Sequence, residues 1–276
     1  MADAGPAAYS TDAYRTELET FVTATGVDAR GHWVECADTV LFPEGGGQPA
    51  DHGAVGGRPV VDVQKVDGAV RHYVAPETAQ PAPGDAVQVT VDWGRRFDHM
   101  QQHSAQHLLT AVAADRFGLR TTAFHLGHAV SDIELDVAAL GASERSALEE
   151  AAAAEVRAAR PIRASLATPA ELEALTVRSR GLPGGHVGPV RLVSIDGLDV
   201  ATCGGTHVAN TAEIEAIALL EVEQGMRGGV PGCSGAGRRV RQRLRRRTKR
   251  GAALRRAAAA RRTTGSKRRW KRGWRG

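Results

Sequence analysis

Five residues, Cys203-Gly204-Gly205-Thr206-His207, set a thiol and an imidazole four positions apart across two glycines. The glycines let the intervening backbone fold tightly enough for both side chains to face one point. About a hundred residues upstream, His103-Ser104-Ala105-Gln106-His107 sets two more imidazoles at i and i+4. On a helix such a pair lies one turn apart on a single face. Three nitrogens and one sulfur suit a tetrahedral Zn²⁺, one ion per chain, whereas Mg²⁺ or Ca²⁺ would take oxygens. The expected metal ligands are therefore His103, His107, Cys203 and His207.

Each half of this set has a plainer reading. A lone His-x3-His is more often two solvated histidines than a ligand pair. The Cys-Gly-Gly-Thr-His turn is less easily explained that way in a chain with three cysteines. His99, His125, His128 and His186 could replace one of the ligands, but none is paired with a cysteine at comparable spacing. A metalloprotease also uses histidines at i and i+4, but it needs a glutamate where this chain has Ser104. Gln106, Gly205 and Thr206 lie next to the ligands, either as packing and turn residues or as hydrogen-bonding partners of a substrate carbonyl or hydroxyl. Pro43-Glu44-Gly45-Gly46-Gly47-Gln48-Pro49 is either a flexible hairpin tip or a backbone loop approaching a ligand or the neighbouring domain.

The elements that must position these groups follow from periodicity. Residues 16–25 read as a strand or a short helix. Trp33-Val34-Glu35-Cys36, Thr39-Val40-Leu41-Phe42, Val60-Val61-Asp62-Val63 and Val87-Gln88-Val89-Thr90-Val91 are β-branched runs separated by glycine and proline turns. They predict a small barrel-like β domain over residues 1–92. The period then changes: apolar residues at Leu108, Leu109, Val112 and Phe117, with Gly118 as a stop, predict a helix over 95–117 that carries both histidines. Strands at 123–126, 133–137, 162–166, 190–195 and 212–222, helices at 143–159 and 168–175, and a loop at 181–188 complete an α+β domain over 93–236. Thr168-Pro169-Ala170-Glu171 has the pattern of a capping box.

Lys and Arg number 36 against 31 Asp and Glu, but 19 of the bases and none of the acids lie beyond residue 236. The first 236 residues thus carry 17 bases against 31 acids, an acidic body joined to a basic tail. Residues 237–276, rich in Arg, Ala and Gly and without apolar periodicity, read as disordered. With no run of eighteen apolar residues and too few cysteines for a disulfide framework, the expectation is a soluble cytoplasmic protein without membrane contact.

Taken in this order, the motifs resemble the editing domain of alanyl-tRNA synthetase and its freestanding relatives, the trans-editing alanyl-tRNA hydrolases. Leu41-Phe42-Pro43-Glu44-Gly45-Gly46-Gly47-Gln48-Pro49-Ala50-Asp51-His52-Gly53 is similar to that family's glycine-rich loop, and residues 96–109 to the start of its editing helix. The synthetase's other portions are absent, which implies the freestanding type. The resemblance implies ATP-independent hydrolysis of the ester in mischarged tRNA(Ala), chiefly Ser-tRNA(Ala) and secondarily Gly-tRNA(Ala), in translation quality control. It places the zinc ligands on the same four residues. Gln106 sits where the family varies and is carried as a contact; by position beside the ligands Gly205 and Thr206 join it at the reacting group, and Gly45, Gly46, Gly47 and Gln48 are the expected substrate contacts.

The chemistry is reasonable. An alanine pocket rejects serine or glycine by only roughly 1–3 kcal/mol, so a second sieve is needed. A site that hydrogen-bonds the serine hydroxyl would leave polar groups unpaired with alanine. The alternative is a non-catalytic, zinc-braced tRNA- or RNA-binding module; a third reading is an unrelated zinc hydrolase of small esters. Beyond Met226-Arg227-Gly228-Gly229 the family would continue with an alternating apolar strand, whereas this chain has Val230-Pro231-Gly232-Cys233-Ser234-Gly235-Ala236-Gly237, whose Pro and Gly are expected not to supply a central strand, and then the basic run. Either the tail is a tRNA-binding arm, with Trp270 or Trp274 stacking on bases, or the coding frame shifts near Gly229.

Overall fold

Valine-rich runs build six strands that close into a barrel. They are β1 (Glu17–Asp28), β2 (Gly31–Cys36), β3 (Gly53–Val55), β4 (Arg58–Val66), β5 (Ala69–Val74) and β6 (Ala86–Val91), ordered β1-β2-β5-β4-β3-β6. Inward-facing Val22, Val34, Val55, Val60, Val63, Val74, Val87 and Val89 fill the interior, and closure leaves no open edge. A short helix, α1 (Ala8–Thr11), precedes the barrel, with Ala8 in its core cluster. In the computed structural model, residues 6–76, 81–127, 130–137, 139–175, 177–178, 188–220 and 230–270 are described.

One apolar run departs from expectation. Residues 39–42 read as a strand but form a buried loop. Backbone N–H groups of Tyr9 and Asp51 meet the carbonyls of Thr39 and Phe42, and side chains meet other polar groups. Thr39 Oγ1 accepts from Leu41 N–H, Asp51 accepts from Phe42 N–H, and Arg96 donates to Val40 C=O. Arg96 and Asp51 themselves form a fully buried ion pair that joins the barrel to the next helix.

That helix is α2 (Trp93–Phe117). Asp92 caps its first turn by accepting from Arg95 N–H, and Gly118 ends it in the left-handed conformation. It brings Met100, Leu108, Leu109 and Val112 against Leu148, Ala152 and Val156 of α3 (Ala142–Arg157). Two antiparallel sheets accompany these helices. One holds β9 (Ile162–Ala167), β10 (Val190–Ile195) and β11 (Asp199–Thr202) in the order β11-β10-β9. The other holds β7 (Thr121–Leu126), β8 (Ser131–Leu135), β12 (Ile217–Leu220) and β13 (Val230–Ala236) in the order β12-β13-β8-β7. The expected capping box forms at α4 (Pro169–Ala174), where Thr168 and Glu171 exchange backbone and side-chain bonds. The fold is α+β with a six-stranded barrel. The predicted loop at 181–188 lies outside the described residues except for Gly188, as do Val222, His128 and His186.

Two expectations for the end of the chain are corrected. Val230–Ala236 was expected not to supply a central strand, yet β13 lies between β12 and β8. Pro231 pairs with Glu134 of β8 within this strand. The tail was expected to be disordered, yet Arg238–Trp270 is one helix, α5. Its Arg, Ala, Lys, Gln and Leu are all strong helix formers, and that propensity prevails over the lack of an apolar face. Residues Met1–Gly237 form one compact unit and Arg238–Gly276 a second. Among the described residues, no helix is long and apolar enough to cross a membrane.

Candidate metal centre

The turn after β11 meets the middle of α2. His103, His107, Cys203 and His207 gather there with one ligand atom each, all within 4.8 Å of one another. Cys203 Sγ is 3.4 Å from His103 Nε2 and 3.3 Å from His207 Nε2. Bonds of ~2.05 Å to nitrogen and ~2.3 Å to sulfur give a tetrahedral N···S edge of about 3.6 Å, so the cluster is within a small contraction of that shape. The three imidazoles are buried and the sulfur half-buried. This group could hold a metal ion, and its soft donor set suits zinc.

A different neighbour fixes each imidazole. His103 Nδ1 donates to Gln48 Oε1 at 2.9 Å, so its Nε2 is turned toward the sulfur. His207 Nδ1 lies 3.1 Å from Ser104 Oγ, which also accepts from Val208 N–H. His107 Nδ1 lies 3.5 Å from the Asp199 carboxylate. Phe124 stacks on the His103 ring at 5.8 Å. The turn itself is held by Arg191, which donates to Cys203 C=O at 2.8 Å and to Gly205 C=O at 2.9 Å.

Electrostatics prepare the sulfur. Burial alone would raise the Cys203 thiol, but the charge of the neighbouring His103 ring holds it well below its usual range. Burial, followed by repulsion from His103, pushes His207 down to about 3. Burial also opposes charge on His107, but hydrogen bonds to Asp199 and Cys203 outweigh it and push that group up to about 9.

The glycine-rich loop reaches the same place. Gly45 and Gln48 exchange backbone hydrogen bonds at 3.1 and 3.0 Å. The two residues between them, Gly46 (φ 58°) and Gly47 (φ 83°), take the left-handed conformations of a tight hairpin turn. Gly45, Gly46 and Gly47 are exposed at the rim, while Gln48 is fully buried. Gln48 also donates to Thr206 Oγ1 at 2.8 Å and accepts from Thr206 N–H at 3.0 Å. Its amide is therefore engaged behind the ligands rather than displayed at the rim. Gly205 packs on His103, and Gln106 turns away to donate to Thr110 at 3.0 Å. The reading of residues overlooked Asp199, Arg178 and Arg191. The only signal for Asp199 is parity: it stands four residues before Cys203 on a strand, on the same face.

Comparison with known proteins decides the family. The family described as "Threonyl and Alanyl tRNA synthetase second additional domain" matches residues 190–256. "Alanyl-tRNA editing protein AlaX-M" of Methanosarcina acetivorans is 30% identical over 228 residues, covering 78% of this chain and 92% of that protein. The chain belongs to the alanyl-tRNA editing proteins. "Alanyl-tRNA editing protein Aarsd1" of Danio rerio is 45% identical over 195 residues, covering 71% of this chain and 47% of that protein. The Mus musculus protein of the same name is 44% identical over 196 residues. The chain thus spans about half the length of these vertebrate editing proteins. The matched segment of the synthetase-type domain continues past Gly229 into the basic run.

Proposed function

We propose that this editing protein hydrolyses the ester bond joining a wrong amino acid to tRNA(Ala) in the cytoplasm, with Ser-tRNA(Ala) as main substrate and Gly-tRNA(Ala) as second. The reading is supported above all by the meeting of four soft ligands beside an exposed glycine turn, in a chain related to alanyl-tRNA editing proteins. Residues 1–92 present that turn and residues 93–236 hold the ligands. His103, His107, Cys203 and His207 hold one Zn²⁺, which supplies Lewis acidity and a fixed positive charge when bound. Four protein ligands complete a tetrahedral shell, so we assign these side chains an ordering role: through them α2 and the 203–207 turn become one rigid wall.

The rim glycines Gly45, Gly46 and Gly47 let the terminal ribose and ester approach the backbone closely. Gly205 and Thr206 line the inner side, and Gln106 stands directly before His107 and three residues after His103. Recognition of the serine hydroxyl by polar groups in this wall gives the discrimination that a shape-selective pocket lacks, because alanine would leave those groups unpaired. Incubation with Ser-, Gly- and Ala-tRNA(Ala), with zinc measured on the same sample, tests the proposal. Release of serine and glycine but not alanine is expected. Retention of seryl ester at excess protein, with tRNA still bound, would instead identify a zinc-braced RNA-binding module. Hydrolysis of small esters without tRNA dependence would identify a general esterase.

A further inference from the structure

Of the three groups behind the imidazoles, only Asp199 carries a charge, and it has a partner of its own. Its side chain is 2% exposed. One oxygen lies 3.5 Å from His107 Nδ1 and the other accepts from Arg178 Nε at 2.8 Å. Arg178 in turn donates to both oxygens of Asp115 on α2, at 2.6 and 2.5 Å. Its backbone is fixed as well, because Arg178 N–H donates to Val200 C=O at 2.8 Å beside β11. The line His107–Asp199–Arg178–Asp115 thus leaves α2, crosses the end of β11 and returns to α2 two turns further on.

We infer that Asp199, oriented by Arg178, is a positioning residue that sets how tightly the four-ligand centre holds its metal. This inference rests on the proposed metal-binding role of the cluster, and it concerns a pair of residues outside the ligand set. A buried carboxylate near Nδ1 keeps the proton on that nitrogen, directs the Nε2 lone pair inward and makes the ring a better donor. Arg178 makes the burial of Asp199 tolerable, since an unpaired carboxylate at that depth would be strongly disfavoured. It also holds the carboxylate plane by an Nε contact that a lysine cannot reproduce. Gln48 and Ser104 orient His103 and His207 as neutral partners; the His107 arm alone adds negative charge next to the ion.

The test is zinc affinity measured by chelator competition on the full-length protein, together with the visible spectrum of the Co²⁺-substituted form. Asp199→Ala and Asp199→Asn should each weaken zinc binding about 10–100-fold and alter the Co²⁺ ligand-field bands. Arg178→Ala should lower affinity in the same direction, and Arg178→Lys should not restore it. Asp115→Asn, at the exposed end of the line, should change affinity less than about threefold. Thermal unfolding of the zinc-free proteins controls for general damage: Asp199→Asn is expected to unfold at nearly the wild-type temperature. Wild-type affinity and Co²⁺ spectra in both Asp199 variants would overturn the inference, as would a wild-type protein that binds no zinc. These readouts need no tRNA, so failure to hydrolyse Ser-tRNA(Ala) would refute the proposed reaction while leaving this inference standing.

Discussion

Gly205→Ala offers a sharp perturbation of the centre, because the two glycines of the turn are not equivalent. A Cβ at Gly205 would lie 2.3 Å from His103 Cε1, 2.4 Å from Nδ1 and 2.7 Å from Gln48 Oε1. Ordinary contact needs about 3.4 Å, so the ring must retreat by about 1 Å, whereas zinc ligands tolerate about 0.2 Å. The ring has nowhere to go: His207 stands at 4.3 Å, His107 at 5.2 Å and Phe124 at 5.8 Å between centroids. The backbone of the turn is equally held, by the two Arg191 bonds and by Thr206 N–H on Gln48. Gly205 is not at positive φ, so alanine there brings no backbone strain to confuse the result. The expected outcome is a loss of zinc affinity of at least 100-fold, about 2.7 kcal/mol, with seryl-tRNA hydrolysis falling alongside it. Gly204→Ala is the control, since a Cβ there meets nothing within 4 Å. Metal content after gel filtration and chelator competition reads both variants. Affinity of Gly205→Ala within threefold of wild type would refute the packing argument, since the centre would then have to adapt by a distance it has no room for.

Three further outcomes follow from other parts of the fold. His72 is fully buried in the barrel and pushed down to about 4 by desolvation, with Nδ1 donating to Val34 C=O and Nε2 paired with Thr39. The unfolded chain takes its proton near ~6.5, so this group's stability is present above that pH and lost as pH falls toward 4, by about 2.5 kcal/mol at about pH 4.5. Urea unfolding at about pH 7.5 and 4.5 should show the gap between wild type and His72→Leu narrowing by that amount, and an unchanged gap rejects the account. Arg96→Met should destabilise the fold by about 3–5 kcal/mol, because it leaves Asp51 charged and unpaired at 0% exposure; a loss under about 1 kcal/mol would mean the ion pair is not what joins barrel to helix. A chain ending at Gly237 lacks 19 Lys and Arg and should retain zinc but bind tRNA more weakly, with a flatter dependence of log affinity on log salt. An identical salt slope in the two proteins would exclude the tail as a phosphate-binding arm.

How far the sequence could be read depended on whether each signal was local. The end of α2 is written in Gly118, and the i, i+4 histidines need only a helix to align. The clustering of those histidines with Cys203 and His207 required matching donor chemistry across about a hundred residues, which ligand softness alone made possible. Residues 39–42 mislead because Asp51 accepts from Phe42 N–H and Arg96, more than 50 residues away, donates to Val40 C=O, so a buried loop carries the composition of a strand. The short β3 gave no period to read. At Pro231 the rule against proline in central strands does not hold, since the residue pairs with Glu134 of β8 in a strand that lies between β12 and β8. In α5 helix propensity outweighs the missing apolar face, a balance that composition alone does not decide.

Gln48 shows why composition finds a functional loop more readily than it finds what the loop does. The three glycines and the glutamine were read together as a substrate-contacting unit, and the glycines do stand at the rim. Gln48, however, uses its carbonyl oxygen twice and its amide nitrogen once on His103 and Thr206, all within the protein. One side chain thereby ties the barrel loop, α2 and the 203–207 turn together. A glutamate there could accept the two donated protons but could not donate to Thr206, and alanine would release all three elements. The loop and the ligand cluster consequently behave as one mechanical object. A contact at Gly46 or Gly47 lies one or two residues from the group that orients His103, whether or not the substrate ever touches the ligands themselves.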